Sequence, residues 1–217
     1  MQRTRIKICG IRDDEALAAA VVAGADAVGF NFVRSSPRYI EPAEADRLVQ
    51  MLPPMVIGVG VFADPGFEEF CAIEEECPFL SFNQLHGSES LKTVKQCGPE
   101  VIKAVRFHPE TIEAELVQWS GVEEVAAILI DGGGGGEGRP LDWTALAPLL
   151  AATELPVFLA GGLTPENVGE AIRLVRPYAV DVASGVESER GVKDPDLIAA
   201  FCHAVRAADL ACEEEEL

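Results

Sequence analysis

Short apolar runs rich in β-branched residues alternate along this chain with alanine- and glutamate-rich stretches of helical spacing, from the first residues almost to the last. The pattern predicts strands at residues 5–10, 27–32, 56–62, 79–86, 101–107, 126–131, 157–162 and 179–185. Between and after them it predicts helices at 13–23, 42–51, 66–75, 89–96, 110–119, 142–152, 165–174 and 194–207. Two helix starts carry their own signal. Thr164-Pro165-Glu166 and Asp194-Pro195 each place a capping side chain before a proline at the first helical position, where the missing N–H costs nothing.

Alternation of this kind is the signature of βαβ units and a parallel sheet. Eight repeats with no long insertion and no second zone of composition favour a closed barrel over a doubly wound open sheet, which usually has fewer strands. The expectation is an α/β protein, a single (β/α)8 TIM barrel over residues 1–210, followed by an acidic tail at 211–217.

Alternation along the strands then fixes which side chains enter the barrel. With Ile6 and Ile8 turned toward the helices, Lys7 and Cys9 point to the barrel axis. The same phase puts Leu129 and Asp131 inside on strand six, with Ile128 and Ile130 outside. On strand eight it puts Asp181 and Ala183 inside, with Val180 and Val182 outside. An inward lysine is costly alone, and closure makes strands one and eight neighbours. Lys7 is therefore expected to pair with Asp181 beneath the mouth.

Composition changes this picture little, and charge narrows the partners. Of 217 residues, 48% are hydrophobic and 24% charged, ordinary values for a chain that buries one core. Seventeen basic against thirty-six acidic residues leave a net charge of −19, which argues against nucleic-acid or anionic-membrane partners. The run Glu213 to Glu216 reads as a solvated tail. Residues 1–10 contain no apolar signal core, and the small-apolar run at 16–25 stops at Asp26, short of a membrane span, so a cytoplasmic protein is expected. Cysteines at 9, 71, 77, 97, 202 and 212 form no Cys-x-x-Cys pair and have no histidine at metal spacing; free thiols are expected. The sequence does not choose between monomer and homodimer.

Barrel enzymes keep their reacting groups at the C-terminal strand ends. Cys9 and Asp131 stand at two such ends, and Asp131 opens the glycine run 132–136. Ala160-Gly161-Gly162 and Ala183-Ser184-Gly185 put small residues after strands seven and eight, where barrels frequently bind phosphate through backbone N–H groups. Taken singly, the cysteine also reads as a small buried hydrophobe, the aspartate as a turn residue and the glycines as backbone geometry.

Together these segments resemble one family. Lys7-Ile8-Cys9-Gly10-Ile11, Ser36-Pro37-Arg38-Tyr39, Gln84-Leu85-His86-Gly87, the loop ending Gly135-Gly136-Glu137-Gly138 with Asp142-Trp143, Leu159-Ala160-Gly161-Gly162-Leu163, and Asp181 to Glu187 with Gly191-Val192-Lys193-Asp194 look like phosphoribosylanthranilate isomerase in order and spacing. They span nearly the whole chain.

The resemblance implies an Amadori rearrangement of N-(5-phosphoribosyl)anthranilate to 1-(2-carboxyphenylamino)-1-deoxyribulose 5-phosphate, a step of tryptophan biosynthesis that needs neither metal nor organic cofactor. By carry-over, Asp131 is the general acid on the ribose ring oxygen and Cys9 the general base at C2. Arg38 grips the anthranilate carboxylate, with Arg34 as a possible second cation. Gly161, Gly162, Asp181, Ser184 and Gly185 hold the phosphorylated substrate. These roles call for opposite environments, a carboxyl raised by desolvation and a thiol favoured by nearby positive charge. His86 matches the family's strand-four histidine and is expected to orient a neighbour or fill the mouth. Glu137, Arg139 and Ala183 depart from the family's usual residues. Two other readings stay open: another phosphate-binding barrel enzyme, such as a sugar-phosphate epimerase or an indole-glycerol-phosphate synthase relative, and a non-catalytic sugar-phosphate binder.

Overall fold

The computed structural model of the protein describes residues 3–132, 142–151 and 153–215. Eight parallel strands close into a barrel in chain order: β1 (Arg5–Cys9), β2 (Ala27–Asn31), β3 (Ile57–Phe62), β4 (Phe82–Leu85), β5 (Val101–Arg106), β6 (Val125–Asp131), β7 (Val157–Ala160) and β8 (Ala179–Val182). The seam between β8 and β1 sets Lys7 beside Asp181. Around it run α1 (Asp14–Ala23), α2 (Pro42–Val49), α3 (Phe67–Glu76), α4 (Leu91–Gln96), α5 (Ile112–Ser120), α6 (Trp143–Ala151), α7 (Val168–Val175) and α8 (Pro195–Glu214). No helix among the described residues is long and apolar enough to cross a membrane.

The strand phase is the one expected. Ile6, Ile8, Ile128, Ile130, Val180 and Val182 pack outward into the large core shared with the helices. A second, smaller cluster fills the barrel, built from Ala27, Val59, Ile102, Ala104, Ala127, Leu129 and Ala160. Helix ends follow local chemistry. Asp13 accepts from the Ala16 N–H to open α1, and Gly24 closes it in the left-handed region at φ +83°. Asp142 accepts from the N–H groups of Thr144 and Ala145 at the start of α6. Asp194 accepts from those of Asp196 and Leu197, with Pro195 at the first helical position of α8 as expected.

Most boundaries fall within two residues of the sequence reading, and four elements depart from it by three or more. Strand β4 is only Phe82–Leu85, because a turn in which the Leu80 N–H bonds the Cys77 carbonyl occupies the residues before it. Helix α7 begins at Val168, because Asn167 folds its side chain back onto the Thr164 N–H and the Gly162 carbonyl and turns 164–167 into a bracket for the β7 loop. Strand β8 stops at Val182. The next residues form a single 3-10 turn (Ser184–Val186) and a small antiparallel hairpin, β9 (Glu187–Glu189) with β10 (Val192–Lys193). Helix α8 runs past residue 207 through Glu214, because its buried stripe Ile198, Phe201, Cys202, Val205, Ala208 and Cys212 keeps helical spacing to the end. Glu216 and the loop residues Gly135, Gly136, Glu137, Gly138 and Arg139 lie outside the described residues.

Candidate active site

The C-terminal ends of the strands surround a cavity of about 330 Å³. Cys9, Arg38, Asp131, Gly161, Gly162, Asp181 and Ser184 all stand on its wall, so the barrel gathers residues from five segments of the sequence. Gly185 is not among the lining residues. It lies behind Ser184, where a Cβ would meet the Leu163 carbonyl oxygen at 1.8 Å, so its lack of a side chain lets the β8 turn press against the β7 loop. Gly161 serves a similar end at φ +88°, with the Gly132 N–H 2.3 Å from where its Cβ would stand.

On the β1–β8 side the wall is a chain of buried charges. Lys7 Nζ donates to Asp181 Oδ1 at 2.8 Å, the pair expected from the strand phase. Burial works against the lysine's charge, but Asp181 and the neighbouring Cys9 hold its pKa above the ordinary lysine value. Cys9 is the inward residue at the end of β1. Burial pushes its thiol up, and Asp181 adds to that. Lys7 and Lys193 pull the other way and are outweighed. The environment of Cys9 thus differs from the expected one: positive charge is present, but desolvation of the thiolate wins.

The β2–α2 loop, tied down by the Ser36 Oγ accepting from the Arg38 N–H at 3.1 Å, delivers Arg38 to the mouth. Its Nε and Nη2 donate to Glu187 at 2.6 and 2.8 Å in a two-pronged pair. Glu187 also accepts from the Gly191 N–H at 3.0 Å and from Lys193 Nζ at 2.9 Å, and Lys193 in turn donates to the Ala183 carbonyl at 2.7 Å. Burial alone would raise the Glu187 carboxyl, but the donors from Arg38, Gly191 and Lys193 hold it down to about 2. Lys193 itself stays below its ordinary value because burial exceeds the help from Glu187. Arg34 does not join this group. It lies over the Tyr39 ring, 3.9 Å from Glu69 on the outer surface.

The β4–β6 side is built differently. Asp131 closes β6, and its Oδ2 lies 3.1 Å from His86 Nε2. His86 Nδ1 lies 2.9 Å from the amide nitrogen of the buried Gln84. Beneath them Lys103 Nζ donates to Glu89 at 2.7 Å and to the Gly87 carbonyl at 3.0 Å, while Glu89 accepts from the N–H groups of Asp64 and Gly87. This buried knot fixes the loop that carries His86. Among the described residues no group of three His, Cys, Asp or Glu is placed to hold a metal ion.

Sequence reasoning missed Glu187, Lys193 and Gln84 as members of the site. Glu187 and Lys193 were visible only as motif letters, because their roles appear when the hairpin after β8 folds beside the β2 loop. Gln84 did leave a signal: two residues before His86 on a strand, it shares the inward face.

The family model described as N-(5'phosphoribosyl)anthranilate (PRA) isomerase matches residues 6–204. The N-(5'-phosphoribosyl)anthranilate isomerase of Dechloromonas aromatica is 43% identical over 213 residues, which cover 95% of this chain and 98% of the relative. The phosphoribosyl anthranilate isomerase of Thermotoga maritima has a crystal structure that superposes with a TM-score of 0.84 at 39% identity, covering 94% of this chain and 99% of that one. A crystal structure of phosphoribosyl anthranilate isomerase in complex with reduced 1-(o-carboxyphenylamino)-1-deoxyribulose 5-phosphate superposes with a TM-score of 0.82 at 38% identity, over the same shares.

Proposed function

This chain belongs to the N-(5'-phosphoribosyl)anthranilate isomerase family, the isomerases of tryptophan biosynthesis, and from that premise we propose that it rearranges its phosphorylated substrate with Asp131 as general acid and Cys9 as general base. The observation that carries this reading is one cavity with a carboxyl group at the end of β6 and a thiol at the end of β1, and the small residues of the β7 and β8 ends on its wall.

The substrate phosphate is held by backbone N–H groups near Gly161, Gly162 and Ser184, where the absence of bulky side chains permits close approach. Arg38 takes the anthranilate carboxylate. Arg38 donates to Glu187 through Nε and one N–H of Nη2, so its remaining N–H groups on Nη1 and Nη2 serve the ligand. Asp131 donates its proton to the ribose ring oxygen. The C1–O bond breaks as the anthranilate nitrogen lone pair forms a C=N bond, giving an open-chain iminium ion. The thiolate of Cys9 then removes the C2 proton, the C–H electrons become a C1=C2 enolamine, and the iminium charge is discharged. Tautomerisation of that enolamine gives the ketone, so substrate and product are isomers and no electrons leave.

Burial favours the protonated thiol, so Cys9 must first release its own proton to water in the cavity mouth. The cationic iminium formed in the first step lowers the cost of the resulting thiolate, which then has room for the C2 proton. Loss of phosphoribosylanthranilate fluorescence follows the reaction directly. Asp131→Asn and Cys9→Ser are each expected to lower kcat by about 10²- to 10⁴-fold, the usual weight of a general acid or base. Full turnover in Asp131→Asn would end the assignment of the acid, and full turnover in Cys9→Ser that of the base.

A further inference from the structure

Arg38 stands on the cavity wall, and Glu187 stands behind it, outside the lining. The two side chains meet edge to edge, Nε on Oε1 at 2.6 Å and Nη2 on Oε2 at 2.8 Å. Two parallel bonds between planar groups fix the plane and the rotation of the guanidinium, which a single bond would leave free. The carboxylate is itself immobile: it is buried, and it takes further donors from the Gly191 N–H and Lys193 Nζ. Lys193 also ties the β9–β10 hairpin to the end of β8 through the Ala183 carbonyl at 2.7 Å. In the hairpin turn Gly191 has φ +86°, and a Cβ there would lie 2.6 Å from the Pro37 carbonyl oxygen, so the turn presses on the residue before Arg38. On its other side the arginine stem runs along Gly10, where a Cβ would lie 2.6 Å from Arg38 Cδ. Arg38 is thus clasped between the residue after Cys9 and the hairpin that follows β8.

A carboxylate set beside a group that binds a carboxylate carries a penalty, because like charges repel. Lys193 answers it: Arg38, Glu187 and Lys193 together keep a surplus of positive charge. An arginine free to rotate would have to be ordered by the ligand itself, at the expense of affinity. We propose that Glu187 is a positioning residue, which aims the free edge of Arg38 into the cavity before substrate arrives and so strengthens binding of the anthranilate carboxylate. The proposal rests on Arg38 as the group that takes that carboxylate and adds what orients it.

Charge and orientation predict opposite signs for one variant. Glu187→Gln removes an anion from the neighbourhood of the bound carboxylate, which by charge alone lowers KM. It also replaces two acceptor oxygens by one, which frees the guanidinium and raises KM. Initial rates, followed by loss of phosphoribosylanthranilate fluorescence, are expected to give Glu187→Gln a KM about three- to tenfold above that of the wild type, the weight of ordering one long side chain, with kcat little changed. In an Arg38→Ala background the same substitution is expected to leave KM where Arg38→Ala alone puts it, since nothing remains to be oriented. Glu187→Gln leaves Lys193 buried without its counterion. Glu187→Gln/Lys193→Met removes both charges, guards against a loss of folding, and is expected to show the raised KM as well.

A KM at or below that of the wild type in Glu187→Gln would overturn the proposal; should that variant not fold, the same result in the double variant would do so. A KM effect of equal size with and without Arg38 would also overturn it, because it would mark a structural role. Arg38→Ala with an unchanged KM would remove the assignment of the arginine and the proposal with it. A raised KM in Arg38→Ala beside an unmoved Glu187→Gln would remove the proposal alone, so the two failures are distinguishable.

Discussion

The two sides of the barrel mouth hold their reacting groups by opposite means. On the β1–β8 side the charges are paired and mostly buried: Lys7 is 1% exposed and bonded to Asp181, and Glu187 is 4% exposed between Lys193 and the part-exposed Arg38. On the β4–β6 side the side chains of His86 and Asp131 are 35% and 31% exposed and lie 3.1 Å apart, with the amide of Gln84 behind the ring. Buried ion pairs give fixed positions at a cost in desolvation, which the surrounding donors and acceptors offset. A part-exposed carboxyl beside an imidazole gives up some of that rigidity and stays within reach of water. The contrast matches the proposed roles, with the groups assigned to anion binding anchored and the proposed acid open to water.

The contrast is most severely tested by breaking one pair on each side. Asp181→Asn leaves a buried lysine facing an amide and is expected to cost about 3–5 kcal/mol in urea unfolding, whereas His86→Leu is expected to cost no more than about 1 kcal/mol. Equal losses from the two variants would erase the distinction. Within the buried side, Arg38→Ala is expected to raise KM by roughly tenfold to a hundredfold, the equivalent of the ~1.5–3 kcal/mol of hydrogen bonds to a charged group, with kcat less affected. An unchanged Michaelis constant in initial-rate measurements would refute the role given to this arginine.

The smallest effect is one of pH. Glu187 falls from an ordinary 4.5 to about 2 in the folded protein, so the folded state binds fewer protons than the unfolded chain in that window. Its contribution is complete above pH 4.5 and disappears as the pH falls through about 2. Glu187→Gln should flatten this limb of the stability profile, measured by thermal melts in acid. A limb as steep as that of the wild type would assign the acid sensitivity to other carboxylates.

Much of the fold was legible in the sequence because burial on both faces of the sheet forces near-continuous apolar strands, and eight of them alternate with helices. The inward phase of Lys7, Cys9, Asp131 and Asp181 was legible for the same reason, since a strand has period two and Ile6 and Ile8 leave no choice of face. Strand ends were not. Residues 183–185 extend the alternation of β8 as letters, yet Ala183 at φ −121°, ψ −77° turns the chain out of the sheet to open the 3-10 turn. The environment of Cys9 was legible in its neighbours and misjudged in its balance, because the cost of burying a thiolate depends on packing that no motif states. Glu187 was hidden for a further reason: its partners Arg38 and Lys193 come from the β2 loop and the final hairpin, and a pairing 149 residues apart has no local signature.

The seam between the first and last strands has a consequence for how the enzyme comes into being. Lys7 and Asp181 are 174 positions apart in the chain, and Lys193 is farther still from Cys9. Contacts of such separation form late, after loop-closure entropy has been met. A nascent chain emerging from the ribosome therefore displays its nucleophilic sulfur long before the surroundings that restrain it exist, and the thiol is most open to alkylation or oxidation during synthesis rather than in service.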